Sequence, residues 1–202
     1  MKKLVLLVLV LGVVLGTAGT VFADVPAPGG PFNTAFRVMN LETTQTSCTI
    51  DFYNSSGVSK LTYGPATINP GDSLYVYVPN LTTLGDGEYS AVVSCDKLVA
   101  AVVNFSDPNS GASHSGIAGG DVAQTFYAPG IYNNYYNYYS NLYVQNASTS
   151  SVDITVSIYG PGSSTPVATQ TATGVPANAS RSFDQKGLSG LSSGVAYSAK
   201  IS

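Results

Sequence analysis

Beyond residue 23, apolar and polar side chains alternate with a period of two rather than 3.6. Thr46–Tyr53, Ser73–Val78, Glu88–Ser94 and Leu98–Asn104 are runs rich in Val, Ile, Tyr and Thr, the residue types that fit a pleated, half-buried surface. Turn-forming clusters separate them: Asn54-Ser-Ser-Gly57, Asn69-Pro-Gly-Asp72 and Gly85-Asp-Gly87. No segment after residue 23 carries the pattern of a helix of useful length. The chain is therefore expected to be all-β.

The pattern repeats. Phe36–Tyr53 aligns without gaps on Leu142–Tyr159, with Val38/Val144, Asn40/Asn146, Thr43/Thr149, Thr49/Thr155 and Tyr53/Tyr159 identical. Tyr89-Ser-Ala-Val-Val-Ser94 matches Tyr197-Ser-Ala-Lys-Ile-Ser202 in the same order. Self-similarity of this kind marks two copies of one structural unit. Short strands with frequent turns in so few residues predict a β-sandwich of immunoglobulin-like character for each copy. The divisions that follow are a Pro/Gly lead-in at 24–31, a first domain at 32–105, a Gly/Ser linker at 106–125 and a second domain at 126–202. The copies differ at one place. In the first, Ser94 is followed by Cys95-Asp-Lys and the apolar run from Leu98; in the second, the alignment stops at Ser202. Three readings stay open: a truncated gene product, a second domain that closes differently, or a last strand supplied by another molecule through an open sheet edge.

Residues 1–23 break the pattern. Met1-Lys2-Lys3 precedes the apolar run Leu4–Leu15, interrupted only by Gly12, and Val21-Phe22-Ala23 places small residues where a cut before Asp24 needs them. This is the layout of a cleaved secretion signal. An uncleaved anchor is the competing reading, since the 20 residues Leu4–Ala23 are just long enough to span a bilayer. No later segment is apolar enough to cross. A secreted or cell-surface product is expected, and in that setting the two cysteines, Cys48 and Cys95, are expected to form a disulfide. Each shares parity with apolar neighbours, so both sulfurs should face a core. Cys48 aligns with Ile154, an ordinary core residue in the second copy. Two buried free thiols are the alternative.

Composition narrows the function classes. Charged residues make up 9% of the chain, far below the roughly 25% of an average domain. Without Lys2 and Lys3, six basic residues face eleven acidic ones, a net charge of −5. Six dispersed cations cannot neutralise a run of phosphates, so no nucleic-acid partner is expected. His114, the one histidine, lies in the linker, where nothing holds a partner beside it; no catalytic residue, metal site or cofactor is assigned. Gly190-Leu-Ser-Ser-Gly194 matches G-x-S-x-G, but no helix or histidine follows, so it is expected to be a loop. Asp107-Pro-Asn-Ser-Gly111 only faintly matches a calcium loop, with Ala112 where the invariant glycine belongs. An enzyme is not expected.

Tyrosine is the unusual residue. Seven of the 14 tyrosines fall between Tyr127 and Tyr143. If the strand through Leu142 and Val144 runs straight back, Tyr136 and Tyr138 point inward. Tyr135, Tyr139 and Tyr143 then point outward, interleaved with Asn133, Asn137 and Asn141. Those three are the candidate binding surface for sugars or for another protein. The alternative is a segment that merely wraps its rings onto the second domain.

Phe126-Tyr-Ala-Pro-Gly-Ile-Tyr-Asn-Asn-Tyr-Tyr136, followed by Leu142-Tyr-Val-Gln-Asn146, resembles a recurring opening of exported bacterial proteins built from tandem immunoglobulin-like β-sandwich modules. The first copy departs from it, with Pro31-Phe-Asn33 in place of the tyrosine run. The resemblance implies an envelope, adhesion or scaffold component. The expected role is a non-catalytic structural or adhesive component of the cell surface or matrix. The alternative is a carbohydrate-binding or protein-binding module. Surface glycans, other envelope proteins or, through the open edge, a further copy of the chain are the expected partners.

Overall fold

A computed structural model describes residues 10–13, 32–106 and 111–202. The expected cleavage point, the lead-in at 24–31 and Asp107–Ser110 of the faint calcium loop lie outside the described residues. The described chain is all-β, with fourteen strands in three antiparallel sheets and no α-helix. In order they are β1 (Val10–Val13), β2 (Asn33–Asn40), β3 (Thr46–Tyr53), β4 (Ser59–Ile68), β5 (Ser73–Tyr77), β6 (Ser90–Cys95) and β7 (Val99–Ser106). Then follow β8 (Gly111–Ser115), β9 (Phe126–Tyr135), β10 (Tyr138–Gln145), β11 (Val152–Tyr159), β12 (Pro166–Val175), β13 (Ser180–Asp184) and β14 (Ala196–Ile201).

The first copy places β5-β2-β7-β8 in one sheet and β4-β3-β6 in another. Alternation along β3 buries Thr46, Cys48, Ile50 and Phe52. They meet Phe36, Val38, Val76 and Val103 of the other sheet in one apolar core. Phe36 and Phe52 meet edge to face with centroids 5.6 Å apart, a contact worth about 1 kcal/mol beyond area burial. Cys48 and Cys95 are directly opposed on β3 and β6 and form a disulfide within that sheet. Beside it, the Asp96 carboxylate accepts hydrogen bonds from the Thr46 hydroxyl and, at 2.9 Å, from the Ser47 N–H. These hold it below the usual carboxylate range, the Thr46 bond first.

The second copy repeats the pairings. Ile50 opposes Val93 across β3–β6, and their counterparts Val156 and Ile201 oppose each other across β11–β14. Phe36 opposes Val76, as Leu142 opposes Phe183. Its core gathers Ile131, Leu142, Val156, Ile158, Phe183 and Ile201. The sheets, however, are joined: the path β1-β10-β9-β14-β11-β12 is nearly closed and barrel-like, with β13 also on β10. The join is the β9–β10 hairpin, since β9 pairs with both β14 and β10.

Two local readings change. Gly111–Ser115, placed in the linker by its composition, adds β8 to the edge of β7. There His114 stacks on Phe105, centroids 5.6 Å apart. The tyrosine segment does not run straight back from Leu142, because the chain reverses at Tyr136-Asn137 and the register shifts at Tyr138/Tyr139.

Candidate functional site

The hairpin turn is made by Tyr136 and Asn137, with φ of 49° and 67°. Two left-handed central residues are what the right-handed twist of a tight hairpin requires. Asn supplies that backbone readily; a bulky tyrosine does so only against its steric preference. Tyr136 is 80% exposed, so no core contact accounts for it. Its ring meets that of Tyr135 edge to face with centroids 4.8 Å apart, and Tyr135 in turn stacks on Tyr132 at 5.2 Å and 21°. Three rings thus form one aromatic cluster at the tip.

The tip is clasped from the loop that precedes β14. Asn133 Nδ2 donates to the Leu191 carbonyl at 3.0 Å, and Asn133 Oδ1 accepts from the Gly187 N–H at 3.1 Å. The Asn134 carbonyl accepts from the Ser193 hydroxyl at 3.0 Å and from the Gly194 N–H at 3.1 Å. Beneath, the buried Ser140 hydroxyl accepts from the Tyr132 N–H at 3.0 Å. A platform anchored at this many points loses little freedom when something docks on it.

The three tyrosines singled out by parity separate. Tyr135 belongs to the tip. Tyr139 is half-buried under Lys186, whose Nζ lies 5.7 Å from the ring centroid. Tyr143 is half-buried and accepts a hydrogen bond from Asn141 Nδ2 at 3.0 Å. Burial, then the nearby carboxylates of Glu88 and Asp184, push its phenol far above its ordinary range. They do not line up as one open row, because the hairpin turn and the register shift replace the straight strand. Tyr136, expected inward, is 80% exposed, more than any other large hydrophobic side chain among the described residues. Tyr127 is 74% exposed on the far end of β9. It borders a shallow open cleft with Pro129, Tyr159, Ser163, Ser164 and Lys200.

Ser192 of the G-x-S-x-G match lies in the clasp loop, where its N–H donates to Tyr197 Oη at 2.7 Å. Burial lowers the His114 pKa, and its Nδ1 lies 3.3 Å from the adjacent Ser115 carbonyl oxygen. Among the described residues no three His, Cys, Asp or Glu side chains come together as a metal site, and no helix is long and apolar enough to cross a membrane.

The clasp was not visible in the sequence. It joins residues more than fifty positions apart, with nothing in local pattern to link them. The buried Asn40 and Asn146 had a usable sign in their identity between the copies.

Comparison of the chain with family models, with curated proteins and with solved structures gave no match.

Proposed function

We propose that this protein is a non-catalytic, exported structural or adhesive component of the cell surface or matrix, and that the aromatic tip at Tyr132, Tyr135 and Tyr136 is its contact face. The observation that carries the reading is Tyr136: a bulky side chain in the left-handed region and almost fully exposed, at a turn where Asn or Gly is favoured. Neither folding nor packing explains a tyrosine there, whereas contact with a partner does. The two units are immunoglobulin-like sandwiches in this reading. Antiparallel sheets sharing a core support it, although the disulfide joins neighbours in one sheet instead of bridging two. The disulfide also favours an oxidising, extracytoplasmic setting, in keeping with the leader.

A carbohydrate ligand is the second reading, favoured by the near-parallel Tyr132–Tyr135 pair beside Asn133 and Asn134. The chain from Asp24 is applied to a glycan array and to whole cells, alongside a Tyr135→Ala/Tyr136→Ala variant. Binding to cells that falls about thirtyfold in the variant, the scale of a hot-spot loss, supports the contact face. Selective array signals lost in the same variant assign a glycan. Binding that is unchanged in the variant overturns the assignment of the tip.

A further inference from the structure

The contact between the two units of one chain is built from two dissimilar surfaces, and each unit carries both. The first unit offers a receiving surface: the Tyr53↔Ser90 pair of β3 and β6 with the β3–β4 turn at 54–57. Ser90 is buried there, its hydroxyl donating to the Asn178 carbonyl. Gly57 lies so close to the second unit that an added Cβ would be 2.3 Å from the Ala177 carbonyl oxygen. The second unit supplies an inserted surface, the β12–β13 turn at 176–179, flanked by Arg181, which donates to the Ser55 carbonyl. Repetition provides a second example of each surface. Tyr159↔Ser198 of β11 and β14 is the counterpart of Tyr53↔Ser90, and these two residues line the open cleft with Tyr127, Ser163, Ser164 and Lys200. Here Ser198 is exposed, and an added Cβ at Gly162 of the adjoining β11–β12 turn would meet nothing within 4 Å among the described residues. The turn at 69–72 is the counterpart of 176–179. The Asp72 N–H donates to the Asn69 carbonyl as that of Ala179 does to Pro176, and the Asn40 N–H donates to the Asp72 carbonyl as that of Asn146 does to Ala179. Gly71 and Asn178 take φ of 70° and 63° at the same place. Residues 69–72 are exposed, as are Met39 and Tyr75 beside them, whereas 176–178 are half-buried.

We propose that one copy of this chain docks its 69–72 turn into the Tyr159–Ser198 cleft of the next, repeating between chains the contact that joins the two units within one. Both surfaces are already used once, in the same pairing, inside each chain. Charge favours the match. Asp72 places a carboxylate on the turn, and Lys200 is the one charged residue lining the cleft. Their counterparts in the contact within the chain, Ala179 and Val92, are neutral, so the pair of charges belongs to the contact between chains alone. The Met39 and Tyr75 side chains flank the turn as Gln145 and Ser182 flank its counterpart, and give it apolar surface to bury against Tyr127 and Tyr159. Because turn and cleft differ, the contact is heterologous: a docked copy still offers its own free turn or cleft, and assembly continues head to tail unless the rotation closes a ring. Each link is small and therefore weak, and strength along an array comes from repetition. The inference deepens the structural reading above by naming its partner, a further copy of the chain, and it takes nothing from the aromatic tip.

Sedimentation velocity of the full chain, held in a mild non-ionic detergent and followed from about 1 to 500 μM, tests it with two variants. Ser198→Arg fills the cleft from an exposed strand position, and Asp72→Arg adds bulk and reverses the charge on the exposed turn. Thermal unfolding checks that each folds like the parent; if Ser198→Arg melts early, Lys200→Glu takes its place. The average mass of the parent should rise with concentration, and each variant should associate about tenfold or more weakly. An equimolar mixture of the two variants should form dimers and nothing larger, since one intact turn then meets one intact cleft. A parent that stays monomeric throughout overturns the proposal, and so does association of equal strength in the parent and both variants. Variants that each lose association and do not restore it when mixed overturn the head-to-tail contact in favour of a symmetric one. Tyr135→Ala/Tyr136→Ala should assemble like the parent whatever becomes of its binding to cells, so failure of the aromatic tip and failure of this contact are read separately.

Discussion

Asn40 and Asn146 do the same work in the two copies, and they do it from the inside. Each is buried, and each ties down the loop that follows its strand through its side-chain amide, Asn40 with three hydrogen bonds and Asn146 with four. Asn40 Nδ2 donates to the carbonyls of Thr44 and Ile68 at 2.8 and 3.1 Å, and its Oδ1 accepts from the Glu42 N–H. Asn146 Nδ2 donates to Ser150 and Val175 at 2.7 and 2.9 Å, and its Oδ1 accepts from the Ser148 N–H. Alanine at either site strands buried carbonyls with no donor, which costs far more than the net value of a hydrogen bond. Asn146→Ala should destabilise the second unit by about 3 kcal/mol. Urea unfolding followed through the second unit's tyrosines would show it, and a loss under about 1 kcal/mol would mean that water replaces the amide.

At the scale of elements, the hairpin that carries the aromatic tip sets local preference against exposure. Glycine adopts the left-handed region without steric cost, so Tyr136→Gly should leave the second unit as stable as before or more stable by up to about 1 kcal/mol. Binding to cells should fall sharply in the same variant. Thermal unfolding paired with a cell-binding assay separates the two effects; a marked drop in stability would show that the tyrosine is there for packing. The hairpin also marks the limit of what alternation can show. The boundaries of Thr46–Tyr53, the inward parity of Cys48 and the shared inward phase of β3 and β11 were legible, because a half-buried strand writes its period into its residues. A reversal at Tyr136-Asn137 has no such mark, since all the residues around it are Tyr or Asn. Parity carried across an unseen turn put Tyr136 inside and grouped Tyr139 with Tyr135. β8 was hidden for the opposite reason: Gly-Ala-Ser-His-Ser forms an edge strand that buries little, so its composition looks like linker.

At the scale of the molecule, the two units touch through turns. Gly57, with φ of 72°, lets the β3–β4 turn approach the segment before β13 so closely that a Cβ would lie 2.3 Å from the Ala177 carbonyl oxygen. Arg181 reaches across with Nη1 to donate to the Ser55 carbonyl at 2.6 Å, and the Ser90 hydroxyl donates to the Asn178 carbonyl. The same face brings the Glu88 carboxylate toward Tyr143, whose phenol stays protonated well above its ordinary range. The contact is small and polar, the kind that couples units without welding them. Its value is thus a question of cooperativity. Arg181→Ala deletes the reach without straining any backbone, and Gly57→Val blocks the approach itself. Calorimetry of the intact chain should show one sharp transition with both units coupled, and either variant should split or widen it, Gly57→Val more because it also strains its own turn. If both variants melt with the profile of the parent, the units unfold independently and the joint transmits nothing between them. In that case a pull on the aromatic tip would load the second unit alone, and the disulfide of the first would play no part in bearing it.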